Sequence, residues 1–151
     1  MLPRLFGNRN SNCVHNGSLA ENGSGKFCDI SVKVLEELKK LSVTHLWYTR
    51  IIRHATDGDK TAKGKARSPY AIKDYYDVNP YLANSVPDRM AEFEQLVERT
   101  HNAGLKVIID FVPNHLAREY KSDSLPTDRY YNPYVTGTLA LDGSAPLQCV
   151  S

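Results

Sequence analysis

The stretch that decides the fold is KVIIDFVPNH, residues 106–115. Its apolar residues run without a break into Asp110, a pattern typical of a parallel strand buried on both faces. Pro113 has no N–H to give to a strand ladder, so it ends the strand. Asp110, Asn114 and His115 then offer a carboxylate, an amide and an imidazole at the carboxyl end of that strand.

A helix, a short turn and a strand follow one another twice, in LEELKKLSVTHLWY and in FEQLVERTHNAGLKVIID. Asp29 or Ser31 is suited to cap the first helix, and Gly104 to end the second. We predict strands at 43–48 and 106–112, with residues 2–5 as the tail of an earlier strand. The fold class is therefore α/β, with helices packed against a parallel sheet. In such folds, ligands bind beyond the carboxyl ends of the strands.

The long connection over 49–86 carries a second group of polar and aromatic residues, in SPYAIKDYYDVNP. Tyrosines such as Tyr70, Tyr75 and Tyr76 can stack on the apolar faces of sugars, or can simply pack the loop onto the domain. Asp110 and His115 have a similar alternative, in which the aspartate caps a turn and the imidazole is buried and satisfied. Each motif taken alone leaves both interpretations open.

The two motifs together resemble a known family. DFVPNH is similar to the D-x-V-x-N-H segment at the end of the third barrel strand of the α-amylase family, and YAIKDYYDVNP resembles that family's Tyr-x-x-x-Asp-x-Tyr segment. The resemblance covers roughly residues 2–120. It implies a (β/α)8 barrel of the TIM type that hydrolyses or transfers α-glucosidic bonds with retention, of which this chain holds only the first three βα units.

The resemblance also implies roles for individual residues. His115 would hydrogen-bond the sugar on the non-reducing side of the scissile bond, and Tyr70 would stack on the same sugar. Asp110, Asp74 and Tyr76 would be structural at the site, with Asp110 holding an arginine from a later strand. The implied ligands are α-glucans such as starch and glycogen, or maltooligosaccharides.

Calcium is the one cofactor that the resemblance implies. Asn114 would be a calcium ligand in those members that bind the ion between the barrel and its inserted subdomain. The resemblance divides the chain into residues 1–115, an N-terminal part of the catalytic barrel, and 116–151, the start of the long loop or subdomain after the third strand. This second part shows no clear periodicity.

No residue of the chain is assigned a catalytic role. Retaining glycosidases need two carboxyl groups about 5 Å apart, which this family carries on its fourth and fifth strands. No segment here resembles the R-x-D nucleophile motif, and a full barrel needs about 250 residues against the 151 present. An independent pair of Asp110 and Asp74 lacks an apolar pocket to raise one pKa. We therefore expect a fragment of a glycoside hydrolase that is inactive alone and prone to self-association.

Composition favours no other class strongly. A net charge of +2 argues against nucleic acid as a partner, and no apolar run reaches the ~20 residues of a membrane span. Three cysteines do not form a disulfide framework, and the absence of a visible signal peptide slightly favours the cytoplasm, although a truncated start would look the same. Two alternatives stay open. One is a non-catalytic amylase-like carbohydrate-binding or partner protein. The other is an unrelated α/β binding domain, although the sequence has no glycine-rich phosphate loop of the kind that binds nucleotides.

Overall fold

A computed structural model of the chain describes residues 1–14, 18–55, 70–113, 115–117, 120–124 and 148–150, without the side chains of 115 and 148–150. The α-helices are α1 (Leu19–Asn22), α2 (Val32–Lys40) and α3 (Arg89–Asn102), and 3₁₀ turns span Phe27–Asp29 and Pro80–Leu82. The strands are β1 (His45–Tyr48), β2 (Ile52–His54), β3 (Ile72–Val78), β4 (Lys106–Ile109), β5 (His115–Ala117) and β6 (Gln148–Val150).

The chain divides into two compact units. The first unit contains Met1–Ile51 and Val78–Asp110, and the second contains Ile52–Asp77 and Phe111–Ser151. Each therefore consists of two segments that are separated in sequence.

The first unit is built around β1 and β4, which pair in parallel with Leu46 opposite Val107 and Tyr48 opposite Ile109. This confirms the predicted α/β class with parallel strands. Its core contains Leu35 of α2 and Leu96 of α3, both fully buried. The other buried members of this core are Phe27, Ile30, Leu46, Tyr48, Ile51, Val78, Leu82, Ala83 and Leu105. Apolar burial of this kind is the main favourable term in folding.

The helices of this unit begin and end where side chains and glycine allow it. Ser31 caps α2 by accepting a hydrogen bond from the Val34 N–H. Gly104, which follows α3, has a φ of 74°, a left-handed conformation that glycine adopts without a steric penalty. Helix α3 begins at Arg89, two residues after Pro87.

Three expectations about the strands of the first unit are wrong. The predicted strands at 43–48 and 106–112 are shorter and span only His45–Tyr48 and Lys106–Ile109. Residues 2–5 form turns, in which the Phe6 N–H bonds to the Leu2 carbonyl. The expected burial on both faces is also wrong, because Trp47 is 56 % exposed, Ile108 43 % and Ile109 41 %, and the consecutive residues Ile108 and Ile109 lie on opposite faces of the sheet.

The second unit contains two further pairs of strands. Strands β2 and β3 are neighbours. The N–H of Ala55, just after β2, donates a hydrogen bond to the carbonyl of Ala71, just before β3. Strands β5 and β6 pair in parallel, with Leu116 opposite Cys149. Ile52, Ile72 and Leu116 form a small core. The connection over 49–86 is therefore not a plain loop, since it supplies both β2 and β3.

Among the described residues, no helix combines the length and the apolar character that crossing a membrane requires.

Candidate functional site

Asp110 lies directly after β4, at the edge of the sheet where the parallel strands β1 and β4 both end. Its Oδ1 accepts a hydrogen bond from the indole N–H of Trp47 on β1. Its Oδ2 is buried and has no hydrogen-bond partner among the described residues. A buried carboxylate oxygen without a donor is costly, so this atom is suited to accept a hydrogen bond from a group outside the described part of the chain.

The two polar residues that follow Asp110 in the motif are described only in part. Asn114 lies outside the described residues, and of His115 only the backbone is described, as the first residue of β5. Their predicted roles in calcium and sugar binding therefore stay predictions. Strand β6, which pairs with β5, was not expected from the sequence.

The other candidates lie on or beside β3 in the second unit. Tyr70 stands before the strand and is 40 % exposed, and Tyr76 within it is 49 % exposed. Asp74 is fully buried, and both its oxygens accept backbone hydrogen bonds, Oδ1 from the Tyr76 N–H at 2.9 Å and Oδ2 from the Asp123 N–H at 3.0 Å. Asp74 thus ties the strand to the segment at 120–124.

Tyr75 packs against two other aromatic residues. Its ring centroid lies 5.2 Å from that of Phe111 and 6.0 Å from that of Tyr120. Its hydroxyl donates to the Val112 carbonyl, and burial raises the pKa of the phenol. For this tyrosine the packing interpretation holds, whereas Tyr70 and Tyr76 retain surface that a sugar ring can reach.

An acidic cluster in the second unit was missed by the sequence analysis. Ligand-type oxygens of Asp74, Asp77 and Asp123 lie within 4.8 Å of one another. Arg53 of β2 reaches the cluster, with its Nη1 3.0 Å from Asp77 Oδ2 and 2.7 Å from Asp123 Oδ2. Because these ion pairs join residues 24 and 70 positions apart, no local sequence pattern reveals them.

Comparison with known proteins places the chain in a family. The model of the alpha amylase catalytic domain matches residues 1–144. The chain belongs to the α-amylase family. This confirms the family that the two motifs suggested.

Two solved structures of α-amylase-family enzymes show the same fold. The α-amylase of Lactobacillus plantarum is 32 % identical with a TM-score of 0.55, over 76 % of this chain and 25 % of that one. The trehalose-6-phosphate hydrolase of Bacillus licheniformis is 28 % identical with a TM-score of 0.53, over 80 % of this chain and 17 % of that one. These relatives are (β/α)8 barrel enzymes, and the described α/β structure corresponds to part of such a barrel.

The curated relatives include a hydrolase and a transporter heavy chain. The trehalose-6-phosphate hydrolase of Bacillus subtilis is 36 % identical over 66 % of this chain and 15 % of its own length. The amino acid transporter heavy chain SLC3A1 of Mus musculus is 27 % identical over 76 % of this chain and 15 % of its own length. The chain therefore spans about a seventh of the length of these relatives.

Proposed function

We propose that the chain forms the N-terminal part of an α-amylase-type glycoside hydrolase that acts on α-glucosidic bonds of starch, glycogen or maltooligosaccharides with retention. The observation that carries the proposal is the family match over residues 1–144, together with the motif that begins at Asp110 behind the parallel pair β1 and β4. On this proposal, residues 1–115 belong to the barrel, and 116–151 begin the subdomain inserted after the third barrel strand.

Asp110 would act as a structural residue of the sugar site. The Trp47 indole N–H donates a hydrogen bond to Oδ1 of Asp110. The buried Oδ2 would accept one from a donor such as the arginine that the family resemblance implies. A guanidinium is a strong donor to carboxylates, so this pairing would satisfy the oxygen. Asp110 would then orient the strand end without taking part in bond cleavage.

Tyr70 and His115 would supply one wall of a sugar subsite. The exposed part of the Tyr70 ring offers an apolar face of the kind on which sugar rings stack. His115 would hydrogen-bond the same sugar. Asn114 would serve as the calcium ligand, because amide oxygens are among the ligands that this ion accepts.

The proposal also holds that the chain alone does not cleave glycosidic bonds. A retaining glycosidase needs one carboxylate free to attack and a second carboxyl group to donate a proton. Asp74 uses both oxygens on backbone N–H groups, and Asp110 uses one on Trp47. Neither arrangement is that of a nucleophile facing a substrate.

Titration with maltoheptaose, followed by NMR, tests the sugar subsite. We expect millimolar binding, because one wall of a subsite buries little of the sugar, and loss of the shifts in Tyr70→Ala. Tyr81→Ala, which truncates a half-buried tyrosine of the first unit, is the matched control and should leave binding unchanged. Unaltered spectra at the highest soluble sugar concentration would contradict the subsite.

The alternative function is that of a non-catalytic amylase-like carbohydrate-binding or partner protein. The similarity to an amino acid transporter heavy chain, whose name is not that of a hydrolase, supports this alternative. Micromolar maltoheptaose affinity that Tyr70→Ala abolishes would support the alternative, because a binding module needs no catalytic acids. Sequencing of the coding region beyond residue 151 separates the two further. An R-x-D segment and a strand-end glutamate there would favour the hydrolase.

A further inference from the structure

Residues 120–124 are attached to the strands β2 and β3 at three points. The Lys121 N–H donates to the Lys73 carbonyl at 3.0 Å. The Asp123 N–H donates to Asp74 Oδ2 at 3.0 Å. The Asp123 carboxylate accepts from Arg53 Nη1 at 2.7 Å. Two of these three attachments involve the acidic cluster of Asp74, Asp77 and Asp123.

The acidic cluster does not fit a calcium ion in this arrangement. Calcium takes about six to eight oxygen ligands, and carboxylates are its usual anionic ones. Here Asp74 has both oxygens on backbone N–H groups. The other two carboxylates already contact the Arg53 guanidinium at 3.0 and 2.7 Å. A positive group therefore stands where a metal ion would have to enter.

Arg53 is suited to this position by charge as well as by distance. Burial lowers the pKa of its guanidinium, but the hydrogen bond with Asp123 and the charges of Asp77 and Asp123 outweigh that effect and leave the pKa raised. Asp77, whose side chain is 2 % exposed, is a buried charge that the Arg53 guanidinium helps to compensate.

We propose that Arg53 is the resident cation of this acidic cluster, and that it holds residues 120–124 on β2 and β3 without a metal ion. The proposal goes beyond sugar binding and does not depend on it. It separates this cluster from the calcium ligand proposed at Asn114.

Hydrogen exchange of residues 120–124, measured with CaCl2 or with EDTA, tests the proposal. All measurements use the full chain with Asn114→Ser, so that calcium bound at that position cannot contribute. In this chain, the Lys121 and Asp123 amides should be protected, and CaCl2 should not change their exchange. Arg53→Met should speed their exchange about tenfold or more, because the segment then opens more often, and CaCl2 should restore part of the protection.

Two further variants serve as controls. Arg53→Lys should retain most of the protection, because both ion pairs come from the single nitrogen Nη1, whose place a lysine ammonium can take. Arg9→Met changes an exposed arginine of the first unit and should have no effect on residues 120–124. If Arg53→Met does not fold, Arg53→Lys and the calcium measurement on the Asn114→Ser chain decide.

Three results would overturn the proposal. The first is unprotected exchange of the Lys121 and Asp123 amides in the Asn114→Ser chain. The second is calcium slowing that exchange while Arg53 is present, since the cluster would then bind metal despite the guanidinium. The third is either of two results with the variants at Arg53. Arg53→Met could leave the exchange of residues 120–124 no faster than Arg9→Met does, or Arg53→Lys could lose all protection.

Discussion

Tyr48 and Thr100 form a buried hydrogen bond, and removing its acceptor should destabilise the first unit. Both residues are fully buried, and their hydroxyl oxygens lie 2.8 Å apart. Thr100 donates its only hydroxyl proton to the Leu96 carbonyl at 2.8 Å. The Tyr48 hydroxyl must therefore be the donor to Thr100. The bond connects β1 to α3 across the core of the first unit.

Thr100→Val keeps the shape of the side chain but leaves the Tyr48 hydroxyl buried without an acceptor. We expect it to lower the free energy of unfolding by about 1–3 kcal/mol, the cost of an unsatisfied buried group. Tyr48→Phe removes the donor instead and leaves Thr100 bonded to Leu96, so it should cost only about 0.5–1.5 kcal/mol. The double variant should cost less than the sum, because the phenyl ring has no hydroxyl to desolvate.

Urea denaturation at one fixed protein concentration measures these differences. Thr44→Val, at an exposed threonine, is the matched control and should stay within about 0.5 kcal/mol of the unaltered chain. Either of two results would contradict these expectations: a Thr100→Val cost no larger than that of Tyr48→Phe, or strict additivity in the double variant.

The remaining predictions concern the exposed sheet, alkaline pH and a glycine. Because Trp47 and Ile108 expose a contiguous apolar face, the chain should self-associate in light scattering. Replacing both by serine should reduce the associated mass more than Leu41→Ser does, at the exposed residue just after α2. Burial raises the pKa of the Tyr48 hydroxyl, so this hydroxyl loses its proton at a lower pH in the unfolded state than in the folded state. The free energy of unfolding should therefore fall as the pH rises above about 10, and it should fall less steeply in Tyr48→Phe. Gly104→Ala should lower the free energy of unfolding by about 1 kcal/mol in urea denaturation, because alanine is strained at the Gly104 φ of 74°. A clash is not the cause, since the nearest atom to an added Cβ is the flexible Lys39 Nζ at 3.3 Å. No loss of stability would contradict this explanation.

Local signals in the sequence predicted helices α2 and α3 and the parallel pair, but not the short helix α1. Ser31 caps α2 because a serine before an apolar helical repeat satisfies a free N–H group. The apolar runs before Tyr48 and Asp110 form β1 and β4, whose parallel pairing follows from the helix between them. These features depend on residues a few positions apart.

Features that depend on distant residues could not be predicted in the same way. The exposure of Trp47 and Ile108 depends on what packs against the sheet, which the apolar run itself does not specify. The pairing of Arg53 with Asp123 joins positions 70 residues apart, so no spacing rule indicates it. Strand β3 was missed because its sequence, IKDYYDV, does not alternate between apolar and polar residues. Its buried Asp74 is held by backbone hydrogen bonds from Tyr76 and Asp123.

Reducing-sugar release from maltoheptaose shows whether the purified chain cleaves glycosidic bonds by itself. We expect no release above that of buffer at any chain concentration, because on the proposed function the chain supplies one wall of a sugar subsite and not a pair of catalytic carboxylates. The Asp110→Ala variant should give the same background value as the unaltered chain. Release above buffer that Asp110→Ala abolishes would contradict the account, since it would show that this strand-end aspartate takes part in catalysis.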